Sequence, residues 1–139
     1  MTNNENVLLS SIPTTREIRN AVFSMDDSSA PGSDEFSCSF YQVCWDIFGF
    51  DVILCGQQFF QQNWIYPNMN SNFMVLIHKV SNAQVITQFC PIALANLLFK
   101  IIPKTLASRL GSISACIISP EQSAFIRGRG VSYCIALVS

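Results

Sequence analysis

The stretch "EQSAFIRGRG" holds the residues whose types and spacing best suit chemistry, and that chemistry is the binding of phosphate. Arg127 and Arg129 flank Gly128, so guanidinium groups and an uncrowded backbone can both approach a phosphate. Gln122 and Phe125 precede them and supply polar and stacking groups of the kind that single-stranded nucleic acid uses. These five residues predict a contact with nucleic acid, and the alternative is a solvated Gly-rich loop.

The charge of the chain is divided between its two halves. Residues 1–72 contain eight acidic and two basic residues, whereas residues 73–139 contain six basic residues, Lys79 among them, and one acidic residue. This division indicates RNA or DNA as a partner for the basic half. Scattered, solvated charge is the alternative, and composition alone favours it. Charged residues are only 12% of the chain, against about 25% in a typical soluble domain, which indicates a surface that something else covers.

Other kinds of site find little support in the sequence. The one histidine, His78, lies beside a lysine at the end of a predicted strand, so a structural histidine is favoured over a catalytic base. The six cysteines form no CxxC pair, so no zinc site is predicted. The Gly-Arg-Gly tripeptide lacks the strand and helix that flank a dinucleotide-binding loop. We therefore predict no catalytic residue, no metal ligand and no cofactor.

The sequence also bears on location. The polar start of the chain contains Glu5 and does not resemble a secretory signal. The cysteines are therefore expected to be reduced thiols of an intracellular protein, nuclear or cytoplasmic. The longest apolar run, "PIALANLLF", stops at Lys100 and is too short to span a bilayer, so no membrane partner is expected. The oligomeric state is not indicated.

The first half of the chain predicts the helices that must position these groups. Residues 1–11 are expected to be disordered. The stretch "IPTTREIRNAVFSM" predicts a helix that begins with a capping box of Thr14 and Glu17. Pro31 and Gly32 suit the central positions of a type II turn. Helical spacing of apolar residues then predicts two further helices, over residues 35–48 and 51–63.

The second half predicts a small sheet and one interrupted helix. After the loop "WIYPNMNSN", residues 73–79 and 91–95 are predicted to form a small antiparallel pair of strands. The stretch "NLLFKIIPKTLASRL" predicts a helix that Pro103 should kink or divide, and residues 112–118 predict a short helix. The expected fold class is α+β, rich in helix.

Three segments, taken in order, resemble the reverse transcriptase of non-LTR (LINE-type) retrotransposons. They are "IPTTREIRNAVFSMDDSSAPGSDEFSCSFYQVCWDIFG", "NFMVLIHKV…ITQFCPIALANLLFKIIPKTLASRL" and "ISPEQSAFIRGRG". The resemblance implies that residues 12–139 are a partial reverse transcriptase domain, the fingers portion of a right-hand polymerase, with palm and thumb missing. The family copies RNA into DNA with two magnesium ions that palm aspartates hold.

The resemblance assigns roles position by position. Lys79 matches a lysine that lies near the incoming triphosphate, and Cys90 falls where the family has an arginine that makes a second triphosphate contact. Four residues match the segment that lies along the template: Gln122, Phe125, Gly128 and Arg129. Three residues match the Pro-Gly-x-Asp-x-Phe turn in the amino-terminal part of the fingers: Pro31, Gly32 and Asp34.

Several positions depart from the family pattern. Glu35 stands where the family has Gly, and His78 where it has Pro. Cys90 replaces an arginine and cannot supply its charge or its fork of donors. The sequence contains no aspartate after Asp51, so two-metal phosphoryl transfer has no site in these residues. The resemblance therefore implies a catalytically inactive fragment, with Mg²⁺ expected only in the full-length family enzyme.

Three functions remain open at this point. The first is a reverse transcriptase fragment without catalysis of its own that contacts nucleic acid. The second is a domesticated nucleic-acid-binding or protein-interaction module. The third is an active polymerase piece that works with a separate palm chain. Cys90 and the missing aspartates count against the third.

Overall fold

The computed structural model describes residues 3–119 and residue 122. The first half of the chain is helical, and the second half holds a β-hairpin followed by one long helix. In chain order the elements are α1 (Asn3–Ser10), α2 (Thr15–Phe23), α3 (Cys38–Val43), α4 (Trp45–Gln62), β1 (Asn72–His78), a 3₁₀ turn (Ile86–Gln88), β2 (Phe89–Ala95) and α5 (Leu97–Ile117). The described residues thus form a small α+β fold with a two-stranded sheet.

Helix α1 occupies residues for which the sequence predicts disorder. The guanidinium of Arg109 explains the difference, because its Nη1 donates to the carbonyl oxygens of Leu9 at 3.3 Å and Ser11 at 2.6 Å. Carbonyls at the end of a helix have no partner within the helix, so these bonds tie the end of α1 to α5. The donor lies about a hundred residues further along the chain, so no local pattern in residues 1–11 could reveal it.

Helix α2 begins as the sequence predicts. Thr14 Oγ1 accepts from the Glu17 amide at 3.2 Å, and Glu17 Oε2 accepts from the Thr14 amide at 2.9 Å, so the capping box is confirmed. The buried face of α2 packs against α3, α4 and α5. A fully buried aliphatic side chain contributes about 1.5–3 kcal/mol, so one cluster holds the helices together: Ile18, Ala21, Val22, Cys38, Tyr41, Val52, Leu97 and Ile101.

The next two helices divide at a different residue from the one predicted. The predicted gap at residues 49–50 is wrong, because Gly49 is buried within α4 under the ring of Trp45. A Cβ at that position would lie 2.8 Å from Trp45 Cε2, so the glycine serves close packing rather than a turn. The break falls at Cys44, whose φ and ψ are −91° and 20°. Helix α4 ends at Gln62, and the next residue, Asn63, adopts the left-handed conformation common at helix ends.

Helix α5 runs without interruption through Pro103, so the predicted separate helix over residues 112–118 is wrong. Proline removes one backbone hydrogen bond from a helix. Ile101 and Ile102 are buried beside it, and this packing offsets the loss. None of the helices in the described part of the chain is both long and apolar enough to cross a membrane.

Strands β1 and β2 pair antiparallel, from Asn72 opposite Ala95 to His78 opposite Phe89. This agrees with the predicted pairing of residues 73–79 with residues 91–95. The loop predicted before β1 is also present, over residues 63–71. Every residue of β1 is exposed, so the hairpin projects from the helices and the apolar side chains of β1 remain open to solvent.

Candidate nucleic-acid interface

The two residues predicted to contact a triphosphate lie on the same face of the hairpin. The Lys79 amide donates to Gln88 O at 2.8 Å, which continues the ladder one pair beyond β1, and Cys90 lies opposite Ile77. Side chains alternate between the faces of a sheet, so Lys79 and Cys90 share a face as diagonal neighbours, about 7–8 Å apart. The structure therefore brings the two together, and their role in binding a nucleotide stays a prediction.

The loop at the tip of the hairpin, residues 80–87, is held by its own hydrogen bonds. Gln88 Oε1 accepts from the amides of Gln84 at 2.8 Å and Val85 at 3.2 Å. Lys79 Nζ donates to Thr87 O at 3.3 Å. An ammonium has three donors, and this bond uses one of them. The lysine is thus positioned at an exposed, internally bonded tip.

Cys90 is exposed. It is therefore not a small buried hydrophobe, which is the commoner state of a free cysteine. A longer side chain at position 90 would extend into solvent beside Lys79 and would leave the helical core untouched. The ring of His78 packs on Phe89, with 4.8 Å between ring centroids, which agrees with a structural role for the histidine.

The Pro-Gly turn is built differently from the prediction. The Glu35 amide donates to Gly32 O at 3.2 Å, so Ser33 and Asp34 are the central residues of the turn. The type II turn predicted with Pro31 and Gly32 at its centre is wrong, because Gly32 lacks the positive φ that it requires. The residue that does adopt a positive φ is Glu35, at 62°.

Gly32 is needed for close approach rather than for its φ. A Cβ at this position would overlap the backbone nitrogen of Asn96 and lie 2.5 Å from the carbonyl carbon of Ala95. The turn therefore rests directly on the backbone where β2 passes into α5. This contact couples the turn of residues 32–35 to the base of the hairpin.

Asn96 is the residue that fastens this junction, and sequence reasoning missed it. Its Oδ1 accepts from Ser33 Oγ and from the Asp34 amide, both at 3.1 Å, and its Nδ2 donates to Asn68 O at 3.3 Å. The residue is buried. An Asn before the helical run "LLFKII" suggests only a helix cap, yet the side chain makes no cap bond. Its partners lie far away in the sequence.

Part of the positive charge in the second half of the chain is used in contacts with the first half. Arg109 belongs to the basic half, but its Nε donates to Glu17 Oε1 at 2.8 Å and its side chain is buried. The Arg109 guanidinium, chiefly through this hydrogen bond, lowers the pKa of Glu17 from 4.5 to about 2, although partial burial opposes the shift. Lys100 Nζ donates to Ala30 O at 3.1 Å. Arg109 is therefore unavailable to a polyanion.

The segment predicted to lie along the template falls mainly outside the described residues. Phe125, Arg127, Gly128 and Arg129 all lie there. Gln122 is exposed, and its amide donates to Ser119 O at 3.1 Å. Across residues 3–119, no group of three or more His, Cys, Asp or Glu side chains could hold a metal ion.

No protein-family model matches the chain. The chain is similar to the transposon TX1 uncharacterized 149 kDa protein of Xenopus laevis, with 27% identity over 118 residues. The matched region is 85% of this chain and 9% of that protein, so the chain corresponds to a small part of the relative. The resemblance is confirmed in its coarser part, similarity to a transposon protein. Reverse transcription stays a prediction.

Proposed function

We propose that the chain is part of the fingers of a LINE-type retrotransposon reverse transcriptase, contacting nucleic acid without polymerase chemistry of its own. The observation that carries the proposal is the hairpin register, which sets Lys79 and Cys90 on one exposed face. Those are the positions at which the family resemblance implies triphosphate contacts. The similarity to a transposon protein supports the same origin.

The chemistry of this face is that of phosphate binding. The Lys79 ammonium supplies charge at the tip, whereas the Cys90 thiol supplies neither the charge nor the donors of a guanidinium. A hydrogen bond to a charged group contributes about 1.5–3 kcal/mol, so triphosphate binding is weaker than in the family. Two-metal transfer needs carboxylates that meet at one site, and the sequence has no aspartate after Asp51, so any synthesis would require metal-binding aspartates from outside these 139 residues.

Binding of single-stranded RNA to the 139-residue chain, measured by fluorescence anisotropy at several salt concentrations, tests the nucleic-acid contact. Affinity should fall as salt rises, with a slope set by the number of phosphates contacted. Arg127→Ala with Arg129→Ala should weaken binding and flatten the slope by about one contact per side chain. Sequence preference should be slight, because these groups would meet the backbone rather than base edges.

The matched control is Arg16→Ala with Arg19→Ala, which removes the same charge from exposed positions of α2 in the acidic half. This control should bind as the unaltered chain does. Equal weakening by both double variants would mean that net charge alone governs binding. Unchanged binding by the Arg127 and Arg129 variant would mean that this segment is a solvated surface, as the alternative holds.

Cys90→Arg tests the triphosphate face. Because Cys90 is exposed, the variant should keep its melting temperature and bind a nucleoside triphosphate about tenfold or more tightly, as a charged hydrogen bond implies. Ile92→Arg is the control, since residue 92 lies on the same face two pairs further from Lys79. An equal gain from both variants, or a lower melting temperature without a gain from Cys90→Arg, contradicts the assignment.

A protein-interaction module is the second candidate, and the exposed apolar residues of the hairpin favour it. Such a module would show no salt-dependent RNA binding. The active-piece alternative is tested by primer extension with magnesium or manganese, where we expect no product above background. Product that disappears on Lys79→Ala would overturn the proposal of an inactive fragment.

A further inference from the structure

The outer edge of β1 carries an unused row of backbone hydrogen-bonding groups. Opposite residues in an antiparallel ladder form two alternating kinds of pair. In the first kind, the two residues exchange backbone hydrogen bonds with each other. In the second kind, the N–H and C=O groups of each residue point away from the partner strand. The bond from the Lys79 amide to Gln88 O marks the first kind of pair. Counting back along the register, the residues that turn their backbone groups to the outer edge of β1 are Asn72, Met74, Leu76 and His78.

The two edges of the hairpin differ. On β2 the outward positions include Pro91, opposite Leu76, and its nitrogen has no hydrogen to donate. Proline on an edge strand blocks the addition of a further strand. Strand β1, "NFMVLIH", has no proline, no glycine and no Asp, Glu, Lys or Arg. Among the described residues only β2 pairs with it, so β1 is the edge that is open to a partner.

We propose that β1 is a dimerisation edge, on which the β1 strand of a second copy of this chain adds antiparallel. In the register centred on Val75, Met74 of one copy lies opposite Leu76 of the other, and Asn72 lies opposite His78. All four outward positions then exchange hydrogen bonds with outward positions of the partner. A contact that uses the same patch on both subunits is the geometry of a two-fold dimer.

The side chains of β1 match this arrangement. Met74 is 66% exposed and Leu76 is 46% exposed, and in the dimer they form cross-strand apolar pairs. Because β1 contains no Asp, Glu, Lys or Arg, pairing with a second β1 strand places no like charges opposite each other. The pairing would join two hairpins into one four-stranded sheet whose outer edges are both β2, each blocked by Pro91. The assembly therefore closes as a dimer and does not extend into a fibre.

The test is the oligomeric state of the 139-residue chain, measured by sedimentation velocity across the micromolar range. The unaltered chain should dimerise. Met74→Lys with Leu76→Lys sets like charges directly opposite each other in the proposed register and should raise the dissociation constant at least tenfold. Met74→Glu with Leu76→Lys sets opposite charges together in the same register and should restore the dimer. Both positions are exposed, so circular dichroism should be unchanged.

Ala93→Lys is the control for a contact between sheet faces instead of edges. Ala93 lies opposite Met74 on the same exposed face, but one strand away from the proposed edge, so this variant should still dimerise. A chain that is monomeric throughout overturns the proposal. So does an Ala93→Lys variant that dissociates as readily as the double lysine variant, or a charge-exchanged variant that stays monomeric.

Discussion

Arg109 forms an ion pair with Glu17, ninety-two positions earlier in the chain, with 2.8 Å between Nε and Oε1. The Arg109 side chain is 4% exposed and that of Glu17 is 34% exposed. The same guanidinium holds the end of α1 through Leu9 and Ser11. One side chain of α5 thus fixes both helices at the start of the chain.

Glu17→Gln should destabilise the fold by about 2–3 kcal/mol. Removing one partner of a buried ion pair costs roughly 3–5 kcal/mol, and the partial exposure of Glu17 and the remaining amide oxygen reduce that figure. Glutamine also preserves the capping box with Thr14, so the change reports on the charge alone. Denaturant unfolding measures the effect.

The control for this substitution is Asp51→Asn, which removes an exposed carboxylate from α4. A surface change of this kind should alter the free energy of unfolding by less than about 0.5 kcal/mol. If Glu17→Gln had an effect as small as the control, the ion pair would not contribute to stability.

The ion pair also predicts how stability depends on pH. The folded pKa of Glu17 is about 2, below its ordinary value of 4.5. The stabilisation is therefore fully present above pH 4.5 and is lost as pH falls towards 2. The difference in unfolding free energy between the unaltered chain and Glu17→Gln should shrink over that window. A difference that stays constant from pH 6 to pH 2.5 would contradict the assignment.

Gly32→Ala should destabilise the fold by about 1–3 kcal/mol, the cost of forcing extra atoms into a packed site, because its methyl group would overlap the Asn96 backbone. Gly111→Ala is the matched control. A Cβ there meets nothing within 4 Å, and alanine is favoured over glycine within a helix by about 0.8–1 kcal/mol. Thermal unfolding should therefore move in opposite directions for the two variants. Equal shifts would mean that the turn does not rest on Asn96.

Glu35→Gly should stabilise the fold by about 0.5–1 kcal/mol. The left-handed conformation of Glu35, with φ of 62°, costs a residue with a side chain about 1–2 kcal/mol. The greater conformational freedom of glycine in the unfolded chain reduces the net stabilisation. Glu35→Ala removes the same charge but keeps the strain, so it should not reproduce the increase in melting temperature. An equal increase from alanine would assign the effect to charge.

Local patterns predicted the elements whose causes are local. The capping box of Thr14 and Glu17 lies within four residues, and the antiparallel hairpin follows from two short apolar runs with a connector between them. The long-range contacts escaped prediction. Asn96 bonds to Ser33 and Asn68 across the fold. Gly49 was misread for a different reason: its partner Trp45 is only four residues earlier in the same helix, but a glycine within a helical pattern does not by itself distinguish close packing from a helix end.

The candidate site could likewise be predicted where it depends on strand pairing, but not where it depends on tertiary packing. The juxtaposition of Lys79 and Cys90 follows from strand pairing, which the sequence showed. The commitment of Arg109 to Glu17 did not follow, because a count of basic residues does not distinguish a buried ion pair from an exposed ligand-binding group. The exposure of Cys90 likewise depends on the projection of the hairpin from the helices, which is a tertiary property.

The distance in sequence between Arg109 and the residues it holds determines how late in synthesis the chain can complete its fold. A ribosome adds about 5–20 residues per second, so several seconds pass between the emergence of α2 and the emergence of α5. During that interval the apolar face of α2, with Ile18 and Val22, lacks the Leu97 and Ile101 side chains that join it in the core. Nascent chains that stop short of residue 109 should therefore be bound by chaperones and cut by proteases, and protection should arrive in one step once α5 has left the exit tunnel.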